Sequence, residues 1–266
     1  MKQKLIQLVM DYAPGDLACS EVVSSLSSEI FSVDQIYNIN VTSVNSFDTI
    51  STGFITSQLA HNTISPENTI VYSNCAPRKD LAIARVNNEG EGLLYGKLKN
   101  GNVVFVVNSG YSLSFVKESI EELYSLKVSP AGSQFRSRDN FPKVIGDYLK
   151  GVNVFEQELS VDVIPDYPKS CIGYIDSFGN LKTTIRDGDD IVSQIKAGQR
   201  LSITINDVTM LATASTGSFN VQEGDISFSP GSSGGDRKFW EIFQRGASAW
   251  RTYKKPRAGS TIMINF

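Results

Sequence analysis

The run Leu5 to Met10 constrains the fold most: it is apolar except for Gln7 and of strand length. A strand with apolar side chains on both faces belongs in a covered sheet, as parallel strands of α/β proteins do. It ends at Asp11, and Tyr12-Ala13-Pro14-Gly15-Asp16 turns the chain into a helical pattern from Leu17 to Leu26. A second strand is expected over Gln35 to Val41, followed by Ser46-Phe47-Asp48 and a helix reaching Leu59. A third, Thr69 to Tyr72, leads into Ser73-Asn74-Cys75-Ala76-Pro77-Arg78-Lys79. Strands alternating with helices predict an α/β domain with a largely parallel sheet.

Two further strands are expected at Ala82 to Val86 and Asn102 to Val107, with Lys99-Asn100-Gly101-Asn102 as a hairpin tip. The pattern then predicts an amphipathic helix over Ser112 to Leu123 and another over Phe141 to Leu149. Val161 to Ser170 carries two prolines and no helical period, which sets a domain boundary. Beyond it lie short alternating runs at 171–175, 181–186, 200–205 and 208–213, a Gly/Ser loop over Ser229 to Asp236, a short helix over Arg237 to Gln244 and a last strand, Thr261 to Phe266. The expectation is an α/β N-terminal domain (1–160) and a smaller, antiparallel, β-rich, barrel-like C-terminal domain (171–266).

Charge and composition remove several function classes. The 266 residues carry a net charge of -3, which leaves no footprint for nucleic acid. Three cysteines, Cys19, Cys75 and Cys171, are too few and scattered for a disulfide framework or a zinc site, so a reducing cytoplasmic setting and no metal are expected. The N-terminal apolar run stops at Asp11 and reads as neither a signal peptide nor a membrane span. His61 is the single histidine and sits in a polar helix end and loop, where a surface role is expected. Any Ser–His–Asp or Cys–His scheme would have to pass through it.

In sheets with parallel strands, ligands bind beyond the carboxyl ends of the strands. Asp11, Phe47 with Asp48, and Asn74 to Arg78 each follow an expected strand and are candidates to share one crevice. Asp16, Ser46 and Asp48 are equally natural helix N-caps. In Phe135-Arg136-Ser137-Arg138-Asp139, two arginines flank a serine at a helix start, either to bind an anion or to pair with Asp139. Ile172 to Ile185 reads as a hairpin whose turn, Asp176-Ser177-Phe178-Gly179-Asn180, either is ordinary turn chemistry or holds a small polar ligand between a carboxylate, an aromatic face and a carboxamide.

Several of these segments, taken in one order, resemble the family of S-adenosylmethionine (SAM) hydrolases and halogenases, which includes the SAM hydroxide adenosyltransferases, fluorinases and chlorinases. Ile175-Asp176, Phe178-Gly179-Asn180 and Thr183-Thr184-Ile185 resemble the family's "ID-FGN--TNI". Phe135, Ser137-Arg138-Asp139 and Phe141 are similar to its "FHGRD-F", with the halogenases' serine at 137. Met10-Asp11 with Asp16, Ser46-Phe47-Asp48, Ser65-Pro66-Glu67 with Thr69, Asn108-Ser109-Gly110 and Gly246-Ala247-Ser248-Ala249 resemble its weaker motifs, over the whole chain.

The resemblance implies an α/β domain followed by a β-rich domain, a cytoplasmic homotrimer, SAM as substrate and no resident cofactor, with neither nucleic acid nor membrane as partner. It places Asp11 on the ribose hydroxyls, Phe47 on the ribose and sulfonium, Asn108 among the binding residues, Asp176 and Asn180 on the methionine ammonium, Phe178 near the adenine, and Ser232 or Ser233 on the methionine carboxylate. Arg78, Arg136 and Ser137 fall at the reacting end. Of the family's Asp–Arg–His set, the aspartate aligns with Ala76 and the histidine with Arg136, while Arg78 or Lys79 supplies the arginine. The implied activity is displacement of L-methionine at the 5′-carbon by water to give adenosine. The alternatives are a halide in place of water, or a catalytically degenerate protein that binds an adenosyl ligand.

Overall fold

In the computed structural model, residues 3–31, 33, 35–76 and 90–266 are described. They form two compact units, one ending at Asp166 and one spanning Tyr167–Phe266.

The first unit opens with β1 (Gln3–Met10), α1 (Leu17–Ile30), β2 (Ile36–Ser43), α2 (Thr49–His61) and β3 (Thr69–Asn74). It continues through β4 (Leu93–Leu98), β5 (Val103–Val107), β6 (Ile120–Leu126), α3 (Arg136–Asp139), α4 (Phe141–Leu149) and β7 (Phe155–Glu158). Helix α1 starts where Asp16 accepts the Ala18 N–H at 2.7 Å. Its Cys19, Val22, Leu26 and Ile30 recur every three or four residues, and that stripe is buried with Ile6, Leu8, Met10, Tyr72 and Phe105 of the sheet. Each such aliphatic or aromatic side chain contributes roughly 1.5–3 kcal/mol by leaving water. Helix α2 starts at Asp48, which accepts the Ser51 N–H at 2.9 Å, and packs Thr56 against Ser73 of β3 with the two hydroxyls 2.6 Å apart. Gly53 lets α2 approach the 111–115 turn: a Cβ there would sit 2.9 Å from the Phe115 ring.

Among the described residues the sheet order is β2-β1-β3-β5-β4-β6-β7. The pairs β1–β2, β1–β3 and β3–β5 are parallel, while β4–β5, β4–β6 and β6–β7 are antiparallel. The second unit contains β8 (Ile172–Ile175), β9 (Leu181–Arg186), α5 (Asp190–Ser193), β10 (Arg200–Ile205), β11 (Val208–Ala214), β12 (Ile226–Pro230), β13 (Phe239–Gln244), α6 (Ala249–Thr252) and β14 (Ile262–Asn265). Its sheet also has seven strands, in the order β14-β10-β11-β12-β13-β9-β8, with β11–β12 parallel. The bridge between Cys171 and Thr261 joins its two edges. The core is Ile172, Leu181, Leu201, Ile203, Phe228, Trp240, Ile242 and Tyr253 with their neighbours.

These topologies correct the expected fold class. The first sheet is not largely parallel, and the sheet of the second unit has as many strands as the first. The described residues form two seven-stranded mixed sheets, mostly antiparallel, with few helices.

The physical reasons are local. Strand β4 is absent from the expected elements, and its tight link to β5 through Lys99 to Asn102 forces an antiparallel pair. The helix expected over Ser112 to Leu123 is instead a series of turns running into β6. Leu113, Val116, Ile120 and Leu123 are all buried, and a register shift between Ile120 and Glu122 of β6 keeps Ile120 and Leu123 on the buried side, so turns and a bulged strand carry a three- to four-residue period that mimics a helix. The helix expected over Arg237 to Gln244 is β13, whose Phe239, Trp240, Glu241 and Ile242 are all buried. A continuous apolar run does not by itself distinguish a buried strand from a helix. The strand expected at Ala82 to Val86 lies outside the described residues.

Candidate functional site

The carboxyl ends of β1, β2, β3 and β5 hold one connected set of polar groups. Asp11, the first residue after β1, accepts the Phe47 N–H at 3.0 Å through Oδ2, and its own N–H reaches the Asn74 carbonyl at 3.4 Å. Phe47 adopts φ 67°, a left-handed conformation a bulky residue rarely takes, and the residue is 50% exposed. Asn74 ends β3 and is only 2% exposed; its Oδ1 accepts the Ser137 hydroxyl at 3.0 Å, which brings in α3. The Asn74 Nδ2 has no hydrogen-bond partner among the described residues. Ser109, just past β5, donates its hydroxyl to the Cys75 carbonyl. Burial, and then the nearby Asp11 carboxylate, push the Cys75 thiol up to about 12, so it stays protonated at neutral pH.

Thus Asp11, Phe47 and Ser137 come together, with Asn74 as the residue between them. Asn108 is exposed and its N–H bonds the Gly92 carbonyl. The Arg136 guanidinium lies 5.5 Å from the Phe141 ring centroid and lines a groove with Lys127, Ser129 and Glu156. Arg78 lies outside the described residues. Asp48 serves as the α2 cap, and Arg138 pairs with Asp139 at 2.6 Å and with Glu21 at 3.3 Å. That pairing, with the Ser133 bonds, holds the Asp139 carboxyl well below the usual carboxylate range.

His61 is not a simple surface residue. Its Nδ1 is 2.8 Å from the Ser57 carbonyl and its Nε2 is 2.9 Å from the Ser119 hydroxyl, at the far end of α2 from Asp48. It ties α2 to the segment before β6.

In the second unit, Asp176 organises the β8–β9 turn. Its Oδ1 accepts the N–H groups of Phe178 and Asn180, both at 3.0 Å, and its Oδ2 accepts the Asn180 side-chain amide at 2.8 Å. Gly179 takes φ 84° beneath Ser248 and Trp250, where a Cβ would meet the Ser248 hydroxyl. Phe178 stands 79% exposed at the tip. Ser232 and Ser233 lie in the β12–β13 connection, which leaves the sheet at the Arg186 end of β9, whereas the turn leaves it at the Leu181 end. Between the two lies a feature that sequence reasoning missed: Lys182 of β9 is ion-paired with Glu241 of β13 and stands 3.8 Å from Asp176 Oδ2. The partners are 59 residues apart, and only the strand register pairs them.

No protein-family model and no curated protein matches this chain. Solved structures do, two of them as follows. An uncharacterized conserved protein from Thermotoga maritima is 15% identical, with a TM-score of 0.75 over 98% of this chain and 100% of that one. A conserved hypothetical protein from Thermus thermophilus is 13% identical, with a TM-score of 0.67 over 98% of this chain and 100% of that one. The likeness is one of fold. Among the described residues, no helix is long and apolar enough to cross a membrane.

Proposed function

We propose that the chain binds SAM and displaces L-methionine from its 5′-carbon with water, giving adenosine. The carrying observation is the Asp11–Phe47 pair, a carboxylate hydrogen-bonded to the backbone of a half-exposed aromatic residue. A carboxylate has acceptor capacity for both hydroxyls of a ribose, and an aromatic face favours a sulfonium by roughly 0.5–2 kcal/mol. The ordered series of motifs resembling the SAM hydrolase and halogenase family supports the same assignment. So does Asp176, whose bonds fix the turn assigned to the methionine ammonium.

In the reaction, water oxygen attacks the 5′-carbon, the carbon–sulfur bond breaks, its electron pair leaves on sulfur as the methionine thioether, and the water yields a proton. The sulfonium is a good leaving group, so the protein's task is to position a partly desolvated water in line. With Ala76 and Arg136 in place of the family's aspartate and histidine, and His61 bound elsewhere, general-base help is reduced; that help is worth ~10²–10⁴-fold, so turnover is expected to be slow. The same two substitutions favour a second reading, in which the protein binds an adenosyl ligand without turning it over. The proposal includes a homotrimer and a cytoplasmic setting.

Incubation with SAM in ¹⁸O-water tests the assignment. Adenosine carrying ¹⁸O at the 5′-hydroxyl, with one methionine per adenosine, is the expected result. Saturable SAM binding without product selects the second reading, and a 5′-halo product on adding chloride or fluoride replaces water as the nucleophile.

A further inference from the structure

Lys182 and Glu241 sit opposite each other on β9 and β13, and their side chains are 15% and 9% exposed. Lys182 also faces Asp176, 21% exposed, at 3.8 Å, and Ser218 donates its hydroxyl to Glu241 Oε1 at 2.7 Å. A Cβ at Gly231 would lie 3.1 Å from Glu241 Oε2, so the backbone at the start of the β12–β13 connection lies close to the same carboxylate. Among the described residues, Lys182 is the one cation paired with either acid. The group therefore holds two carboxylates against one ammonium, a formal excess of one negative charge in a largely dehydrated place. Burying an ion pair brings little stability by itself, so its charge balance is the property to explain.

We infer that the Lys182–Glu241 pair sets the charge at the Asp176–Asn180 turn so that it selects a ligand with a cationic amino group. This rests on the proposed function and names two specificity-determining residues for it. Lys182 holds the carboxylate of Asp176 and offsets one negative charge; Glu241 offsets Lys182, which leaves the charge of Asp176 for the ligand. The Asp176 carboxylate, locked by two N–H groups and the Asn180 amide, cannot swing away to pair elsewhere.

Charge arithmetic gives a signature that a structural role does not share. Glu241→Gln makes the group neutral and should weaken SAM binding about tenfold at an effective dielectric typical of partly buried sites. Lys182→Gln makes it doubly negative and should hold or strengthen SAM binding. The double variant Lys182→Gln/Glu241→Gln restores a single negative charge without leaving a charge buried alone, and should return to within about twofold of wild type. Adenosine, which lacks the cationic amino group of the methionine moiety, should bind all four proteins alike.

Calorimetric titration of wild type and the three variants with SAM and with adenosine is the test, with melting temperatures recorded alongside. Opposite effects of the two single substitutions on SAM, with adenosine unmoved, support the assignment. Parallel losses for both singles, or equal losses for adenosine, overturn it. If a single variant fails to fold, salt dependence in wild type decides: raising KCl should weaken SAM and not adenosine, and equal behaviour overturns the inference. Wild type that binds adenosine but discriminates against SAM overturns this inference alone; wild type that binds neither overturns the proposed function and this inference with it.

Discussion

The Ser137 hydroxyl donates to the Asn74 carboxamide oxygen at 3.0 Å, which ties the start of α3 to the end of β3 across 63 residues of sequence. Asn74 is 2% exposed, so its polar atoms depend on protein partners. Ser137→Ala removes the partner of a buried acceptor and should destabilise the first unit by about 1–3 kcal/mol. Urea unfolding followed by tyrosine fluorescence measures this; an unchanged midpoint would mean that the bond does not hold α3 in place.

Phe47 sits at φ 67° with its N–H on Asp11, a conformation that glycine adopts without penalty. Phe47→Gly should therefore raise stability by about 1 kcal/mol through relief of strain. It should also weaken adenosyl-ligand binding by about 2- to 30-fold, the worth of one aromatic face to a sulfonium. Thermal unfolding and ligand titration on the same variant read the two effects, and a gain in stability with unchanged affinity would remove the ring from the site.

The Asp139 carboxyl is held below its ordinary range first by Arg138 and then by Ser133. A carboxyl with a lowered folded value contributes stability that is complete above its unfolded pKa and fades as pH falls toward the folded one. Asp139→Asn should accordingly cost about 1–2 kcal/mol at pH 7, and the difference should shrink below about pH 4. Denaturant midpoints at pH 7, 4 and 3 check the sign; a difference that grows on acidification would contradict it.

How much of this was legible in the chain depends on how local each signal is. Asp16 and Asp48, each just before a helical pattern, cap α1 and α2. Gly179-Asn180 lies in the turn between β8 and β9. Signals that rest on distant partners were not legible. Turns and a bulge at the start of β6 give Leu113, Val116, Ile120 and Leu123 a helix-like spacing, and the antiparallel β4–β5–β6 arrangement that corrects the fold class rests on pairings that no local pattern marks. Asn74 could be nominated from its place after a strand, but its bond to Ser137 comes from tertiary packing. Lys182 and Glu241 stand out in no sequence pattern and meet only because β9 and β13 pair.

Asp11 is the group on which the proposed binding of SAM most directly rests. Calorimetric titration of SAM into wild type and Asp11→Ala should show saturable binding by wild type and a loss of at least about tenfold in the variant, since hydrogen bonds to a charged acceptor are worth roughly 1.5–3 kcal/mol. Melting temperatures of the two proteins separate this loss from unfolding. No binding of SAM by wild type, or equal binding by a folded Asp11→Ala protein, would contradict the account.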